Sequence, residues 1–458
     1  MNLLVMSLMK LPDVSALSLQ LQQQLCLTSS PPDGVECRGQ ILAVGPTLLR
    51  AHLPGIALGE LCRITSADML AEVVAIEQQT ALLSPFASSA GLRCGQWVSP
   101  LGHAHRIRVG PDLVGRVLDG LGVPIDDGPP LSGYWRELDS SPPDPLTRQP
   151  VQQILTTGIR AIDGLLSCGE GQRIGIFAAA GVGKSSLLSM LCAGCSADIT
   201  VLALIGERGR EVREFLEQVL TPQARARTVV VVATSDRPAL ERLKGIYTAT
   251  TVAEYFRERG LKVLLMADSL TRYARAAREI GLAAGEIPAM GSFPASVFAA
   301  LPRLLERAGN SESGSITAFY TILVEGDDMN EPVADEARSL LDGHIVLSRQ
   351  LAGSGHYPAI DIAASVSRIM PQIVSTEHRA LAQKLRQMQA CYQEIELLVR
   401  VGEYQEGQDL HADEALQRYP AICAFLQQEY ALSSGKTPAD LGHTLGQLAQ
   451  ALGASTQH

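Results

Sequence analysis

The sequence has no apolar run long enough to cross a bilayer. Its first residues, Met1 to Leu19, are fairly apolar but broken by Lys10, Pro12 and Asp13, so no signal-peptide core is expected. Any membrane association is expected to be peripheral. A basic surplus is missing as well. The 38 Lys and Arg against 48 Asp and Glu leave a net charge of -10, which argues against a general nucleic-acid binder. Cysteine occurs without a disulfide or metal pattern: the nine residues are odd in number and scattered, as expected of reduced thiols in a cytosolic protein. Cys192 and Cys195 form a lone C-x-x-C with no second pair and no nearby histidine, which favours packing over zinc. No internal repeat or low-complexity tract is found. With 46% hydrophobic and 19% charged residues in 458, the chain is an ordinary globular protein of about two or three domains.

What is present centres on Gly171 to Leu188. Gln172 to Phe177 reads as a short buried strand ending in a small-residue turn, and Lys184 to Cys192 as a helix with Leu187, Leu188 and Leu191 on one face. Between them lies Ala178-Ala-Ala180-Gly181-Val182-Gly183-Lys184-Ser185-Ser186, a phosphate-binding loop. Strand, turn and helix aim backbone N–H groups and the positive helix end at a polyphosphate. Lys184 is placed to reach the outer phosphates, and the Ser185 hydroxyl to ligate Mg²⁺. Ala178 stands where such loops usually begin with glycine, which is tolerable if its φ is negative. Gly181-Val-Gly183 lacks the third glycine of a dinucleotide fold, so a nucleoside triphosphate site is expected.

Taken in order, residues 1–30 read as a leader that is helical or loosely ordered, ending at Pro31-Pro-Asp-Gly34. From 31 to 97, short apolar runs separated by turn residues give the pattern of a small β-barrel. Residues 98–374 contain a glycine-dense stretch, a proline-rich connection at Ser140 to Pro145, and then alternating strands and helices. Thr200–Ile205, Thr228–Ala233, Lys262–Ala267, Ser315–Val324 and His344–Ser348 are expected to build a mainly parallel, doubly wound α/β sheet. Residues 375–458 change to Leu-, Gln- and Glu-rich helices with breaks expected at Gly402, Pro420 and Gly435.

Several residues carry chemistry. Asp268 closes an apolar strand, where a carboxylate can hold the hydration shell of Mg²⁺ or cap the following helix. Glu207 follows another strand end and can polarise a water in line with a γ-phosphate, or pair at the surface with Arg208 or Arg210. Arg272, one helical turn beyond Asp268, can approach the γ-phosphate or pair back with Asp268. Glu325-Gly-Asp-Asp328 suits a solvated acidic turn better than a metal site. Arg368, after Ser365-Val-Ser367, can reach a phosphate in its own chain or a neighbour's, or pair with a carboxylate.

Pro358 to Ser367 fits the signature P-[SAP]-[LIV]-[DNH]-x-x-x-S-x-S of the rotary ATPase α/β family, alongside Gly206-Glu-Arg208 and Gly181-Val-Gly-Lys-Ser185. Leu323 to Pro332 and Leu341 to Arg349 resemble the protein-export branch, and Cys168 to Arg173 and Ala233 to Arg242 its virulence type III secretion ATPases. The similarity runs from about Gly34 to Tyr430. The resemblance implies a RecA-like P-loop ATPase core with an N-terminal β-barrel that helps close a ring and a C-terminal helical domain. It implies ATP and Mg²⁺ as cofactors, Glu207 as the catalytic glutamate, Arg208 as its motif neighbour, and Arg272 as the arginine after the Mg²⁺-side carboxylate. Arg368 would be an arginine finger given across a subunit interface, and Tyr357 the aromatic that stacks on adenine; without the resemblance Tyr357 would read as core. The implied assembly is a homohexamer at the cytoplasmic face of the inner membrane, with a central stalk, a stator or regulator, an export gate and chaperone–effector complexes as partners. Alternatives are the flagellar export ATPase, a catalytic subunit of a proton-translocating ATP synthase, or a non-catalytic ring subunit, the last disfavoured by Glu207.

Overall fold

The computed structural model describes residues 38–407, 409–429 and 440–453. The expected leader, the break at Gly435 and the end of the family similarity at Tyr430 lie outside the described residues. Two compact units are present: the first takes in the chain up to His105 together with Leu282–Glu286, and the second takes in Arg106–Gly281 and the chain from Ile287 on.

The first unit is a closed six-stranded barrel: β1 Gly39–Val44, β2 Leu49–His52, β3 Glu60–Ile64, β4 Met69–Glu77, β5 Thr80–Pro85 and β6 Trp97–Ala104, ordered β1-β2-β5-β4-β3-β6. Its core is an apolar cluster in which Ile41, Leu49, Ala51, Cys62, Ile64, Val73, Leu83 and Val98 are buried together. The sixth strand carries the barrel past residue 97, the limit read from the sequence. Pro100 and Gly102 break its alternation, and only Val98 in it is buried, so the strand leaves little periodic signal.

The second unit opens with β7 Arg106–Val109, β8 Val117–Asp119, β9 Tyr134–Glu137, β10 Ile154–Leu155 and β11 Cys168–Gly169. Its main strands are β12 Arg173–Ala178, β13 Ile199–Ile205, β14 Thr228–Ala233, β15 Lys262–Asp268, β16 Gly309–Asn310, β17 Ser315–Leu323, β18 Gly343–Leu347 and β19 Ile360–Ser367. The central sheet runs β19-β18-β12-β17-β15-β13-β14-β8, with β16 beside β17. All pairings from β18 to β8 are parallel, while β19 is an antiparallel edge.

Side chains alternate across this sheet, so each strand feeds two cores. Leu202 and Leu204 of β13 join one face, packed with Leu187, Leu188 and Leu191 of the helix Lys184–Gly194. Val201, Ala203 and Ile205 join the other, with Ile246, Val252 and Phe256 of the helix Ala239–Arg257. Covering both faces is what makes the strands continuously apolar.

Helices Thr376–Val401, Leu410–Leu426 and Leu441–Ala451 follow, each started by a side-chain cap, from Ser375, Asp409 and Asp440. Gly402 ends the first in the left-handed conformation, as expected. Pro420 does not break the second: it sits inside the helix. Ala415, Ile422 and Phe425 on either side are buried, and that packing offsets the one backbone hydrogen bond that proline removes.

Candidate active site

The phosphate loop is positioned by β12, whose last residue Ala178 pairs with Leu323 of β17 and Leu347 of β18. Ala178 is thus still strand, fully buried and without a positive φ, which explains why glycine is dispensable there. Gly181 and Gly183 do need to be glycine, with φ of +80° and +89°. Val182 anchors the loop in the core, while Ala180, Gly181, Ser185 and Ser186 face solvent. The helix beginning at Lys184 has no side chain capping its N-terminus, so no side-chain cap competes for its first-turn amides.

Three charged groups meet beside the loop. Lys184 Nζ donates to Asp268 Oδ1 at 2.5 Å and to Glu207 Oε1 at 3.4 Å. Asp268 ends β15 and Glu207 follows β13, adjacent parallel strands in which Leu204 pairs with Asp268, so both carboxylates leave the same sheet edge. Asp268 is buried and also accepts from the Thr321 hydroxyl at 2.6 Å. Burial holds the Glu207 carboxyl above its ordinary range, Lys184 pulls it back, and the Asp268 charge pushes it up again. Burial opposes the Lys184 charge, but the combined pull of Asp268 and Glu207 outweighs it and raises the ammonium.

Arg272 lies on the same edge. Its aliphatic part packs on Gly206, where a Cβ would come within 2.8 Å of Cδ, and its guanidinium lies 4.0 Å from Glu207 Oε2. It pairs toward Glu207 rather than back to Asp268, and among the described residues its Nε has no hydrogen-bond partner. Glu207 is therefore not the surface glutamate that an Arg208 or Arg210 pairing would make it. Arg208 points away: its side chain is 80% exposed and pairs with Glu211 at 3.4 Å.

Tyr357 is not core. The residue is 44% exposed, and its ring stands against the phosphate loop, 3.1 Å from where a Cβ on Gly183 would lie. Arg368 is far from that loop in its own chain. Ser367 pairs with Gly343 at the start of β18, and its hydroxyl accepts from Gln172 Nε2 at 3.2 Å. Gln172 precedes Ala178 by six residues of strand, about 20 Å. Arg368 is exposed and donates to the Arg338 carbonyl, and among the described residues it has no carboxylate partner. Glu325 opens a short turn and pairs with Arg275 at 2.6 Å. Among the described residues, no group of three or more His, Cys, Asp or Glu is arranged to hold a metal, and Cys192 and Cys195 are buried, with burial pushing both thiols up to about 12. The oxygen donors near the loop, Ser185 and Asp268, suit Mg²⁺ bound together with phosphate.

Two residues escaped the sequence reading. Thr321 looks like one more residue of an apolar strand, and the only hint was a hydroxyl on the strand beside β15. Gln428, whose contacts reach Tyr357, lies in a helical region with no motif.

Residues 158–367 match the ATP synthase alpha/beta family nucleotide-binding domain, and residues 374–450 the EscN type III secretion ATPase C-terminal domain. The chain is 60% identical over 410 residues to the SPI-2 type 3 secretion system ATPase of Salmonella typhimurium, covering 89% of this chain and 94% of the relative. Among solved structures it resembles the assembled ATPase EscN of enteropathogenic E. coli, at TM-score 0.86 and 51% identity, covering 90% of this chain and 100% of that one. EscN bound to its central stalk EscO matches at TM-score 0.84 and 50% identity, with the same coverage. No helix among the described residues is long and apolar enough to cross a membrane. With the phosphate loop, its lysine and two strand-end carboxylates in one cleft, the chain belongs to the ATP synthase α/β family as a type III secretion system ATPase.

Proposed function

We propose that the chain hydrolyses Mg²⁺-bound ATP at the interfaces of a homohexameric ring, and that this energises protein export at the cytoplasmic face of the inner membrane. The observation that carries the reading is the convergence of Lys184, Asp268 and Glu207 beside the uncapped helix end. Lys184 and the loop amides bind the outer phosphates, and Ser185 with Asp268, through water, holds Mg²⁺. The metal supplies charge neutralisation on the phosphates. Glu207 orients and deprotonates the attacking water, and its raised affinity for a proton suits a base. Arg272 draws near the γ-phosphate from the same edge, and Tyr357 stacks on adenine. Arg368 completes a neighbour's site.

Assembly of EscN, and its complex with the stalk EscO, support a ring with a central stalk. The other partners of this reading are a stator or regulator, an export gate and chaperone–effector complexes, with chaperone release and cargo unfolding as the work done. The test is secretion of a reporter cargo in cells whose own secretion ATPase gene is deleted. The parent chain is expected to restore secretion and Glu207→Gln is not, at equal abundance. Secretion supported equally by Glu207→Gln would overturn the claim that hydrolysis drives export.

A further inference from the structure

Gln428 follows the helix Leu410–Leu426 and bonds in three directions. Its side-chain Nε2 donates to the Gly158 carbonyl at 2.7 Å, and its Oε1 accepts from the Arg160 backbone N–H at 2.9 Å. Turning the amide over would set a donor against a donor and an acceptor against an acceptor, so this orientation is fixed. Its backbone N–H donates to the Tyr357 carbonyl at 2.8 Å. The Arg160 side chain grips the same segment, donating to the carbonyls of Ala424 and Gln427.

The other end of this brace is stiff. The buried Asp163 carboxylate accepts from Thr157 N at 2.8 Å, Thr157 Oγ1 at 2.7 Å and Gly158 N at 2.9 Å. Ala161, Ile162 and Leu165 of the helix Arg160–Leu165 lie in the core. Tyr357, by contrast, belongs to the connection between the helix Arg349–Gly353 and β19, and is nearly half exposed. Gln428 is what ties that connection to the stiff backbone at 158–160.

We infer that Gln428 is a positioning residue for the nucleobase: it holds Tyr357 over the phosphate loop, so the seating of segment 427–429 sets affinity for the base-bearing part of the nucleotide. This rests on Tyr357 as the adenine-stacking residue. A ring held in place loses less freedom on stacking than one that must first be ordered. The phosphates, bound at Gly181 to Ser185, do not depend on Gln428.

The test compares calorimetric affinities for ATP and for inorganic tripolyphosphate in the full-length chain, in Gln428→Ala, Tyr357→Ala and the double variant. Gln428→Ala is expected to weaken ATP about three- to tenfold, the effect of one or two lost hydrogen bonds, and to leave tripolyphosphate unchanged. The double variant should bind ATP no more weakly than Tyr357→Ala alone. Gln428→Glu keeps the size and the acceptor but faces the Gly158 carbonyl with a carboxylate. It should show the same selective loss, and serves if the alanine variant folds poorly. Equal losses for ATP and tripolyphosphate, or full additivity in the double variant, would overturn the inference. Unchanged ATP affinity in Gln428→Ala with a clear loss in Tyr357→Ala removes Gln428 alone. Unchanged affinity in Tyr357→Ala removes the stacking reading and this inference with it, while the phosphate-loop reading stands.

Discussion

Lys184 Nζ lies 2.5 Å from Asp268 Oδ1, and that one contact joins the phosphate loop to a strand two places away in the sheet. Asp268 is further pinned by the Thr321 hydroxyl of the intervening strand β17. The lysine is thus aimed along the edge of the sheet, toward the carboxylates and the place where outer phosphates bind. Lys184→Ala removes the charge facing those phosphates and leaves the buried Asp268 and the partly buried Glu207 without the cation they share. ATP affinity is expected to fall about ten- to a hundredfold, measured by calorimetry. Parent-like affinity in that variant would contradict the loop's assignment.

Glu207→Gln should retain ATP binding while turnover falls by about 10² or more, since the amide keeps the size but cannot take a proton. The parent enzyme gives a second check. Glu207 must be ionised to act, and burial with Asp268 raises its pKa. Activity is therefore lost as pH falls through a value above 4.5, its ordinary pKa, and is regained as pH rises through it. A kcat/KM profile flat down to that ordinary value would argue that another group activates the water.

Ser185→Ala removes a hydroxyl from the start of the helix without touching Lys184. The concentration of Mg²⁺ needed for half-maximal activity should rise several-fold, while activity at saturating Mg²⁺ recovers in part. An unchanged Mg²⁺ titration would take Ser185 out of the metal's coordination.

The site was legible wherever chemistry coincided with an abrupt change of pattern. The apolar runs ending at Ile205 and Asp268 marked strand ends because parallel strands buried on both faces stop sharply at the sheet edge. Gly183 was legible because its φ of +89° demands glycine, and Lys184 and Ser185 because they follow it at the start of a helix. Thr321 and Gln428 were not, since their partners lie 53 and 270 positions away and nothing local marks them. Arg208 shares a motif with Glu207, yet side chains of consecutive residues diverge, and within one chain it leaves the cleft. Pro420 misled because the cost of proline in a helix is local, whereas the packing of Ile422 and Phe425 that offsets it is tertiary.

Arg368 is expected to act on a neighbouring chain. Within its own chain the hydrogen bond from Gln172 to Ser367 fixes it at the opposite end of β12 from the phosphate loop, about 20 Å away along the strand. An arginine side chain does not cover that distance. It is exposed and, among the described residues, pairs with no carboxylate, so its charge remains available at a subunit contact. An arginine placed on the developing phosphoryl charge contributes about 10³-fold or more in related nucleotide hydrolases. Supplied in trans, that contribution appears only when chains associate. Specific activity should rise steeply with protein concentration, in step with assembly measured by sedimentation. Arg368→Ala should bind ATP with nearly parental affinity yet lose that rise. Mixing Arg368→Ala with Glu207→Gln should restore part of the activity, because some mixed interfaces then pair an intact Glu207 with an intact Arg368. The concentration series decides the matter: full specific activity from a species that sediments as a monomer would mean that Arg368 is not a trans-acting finger.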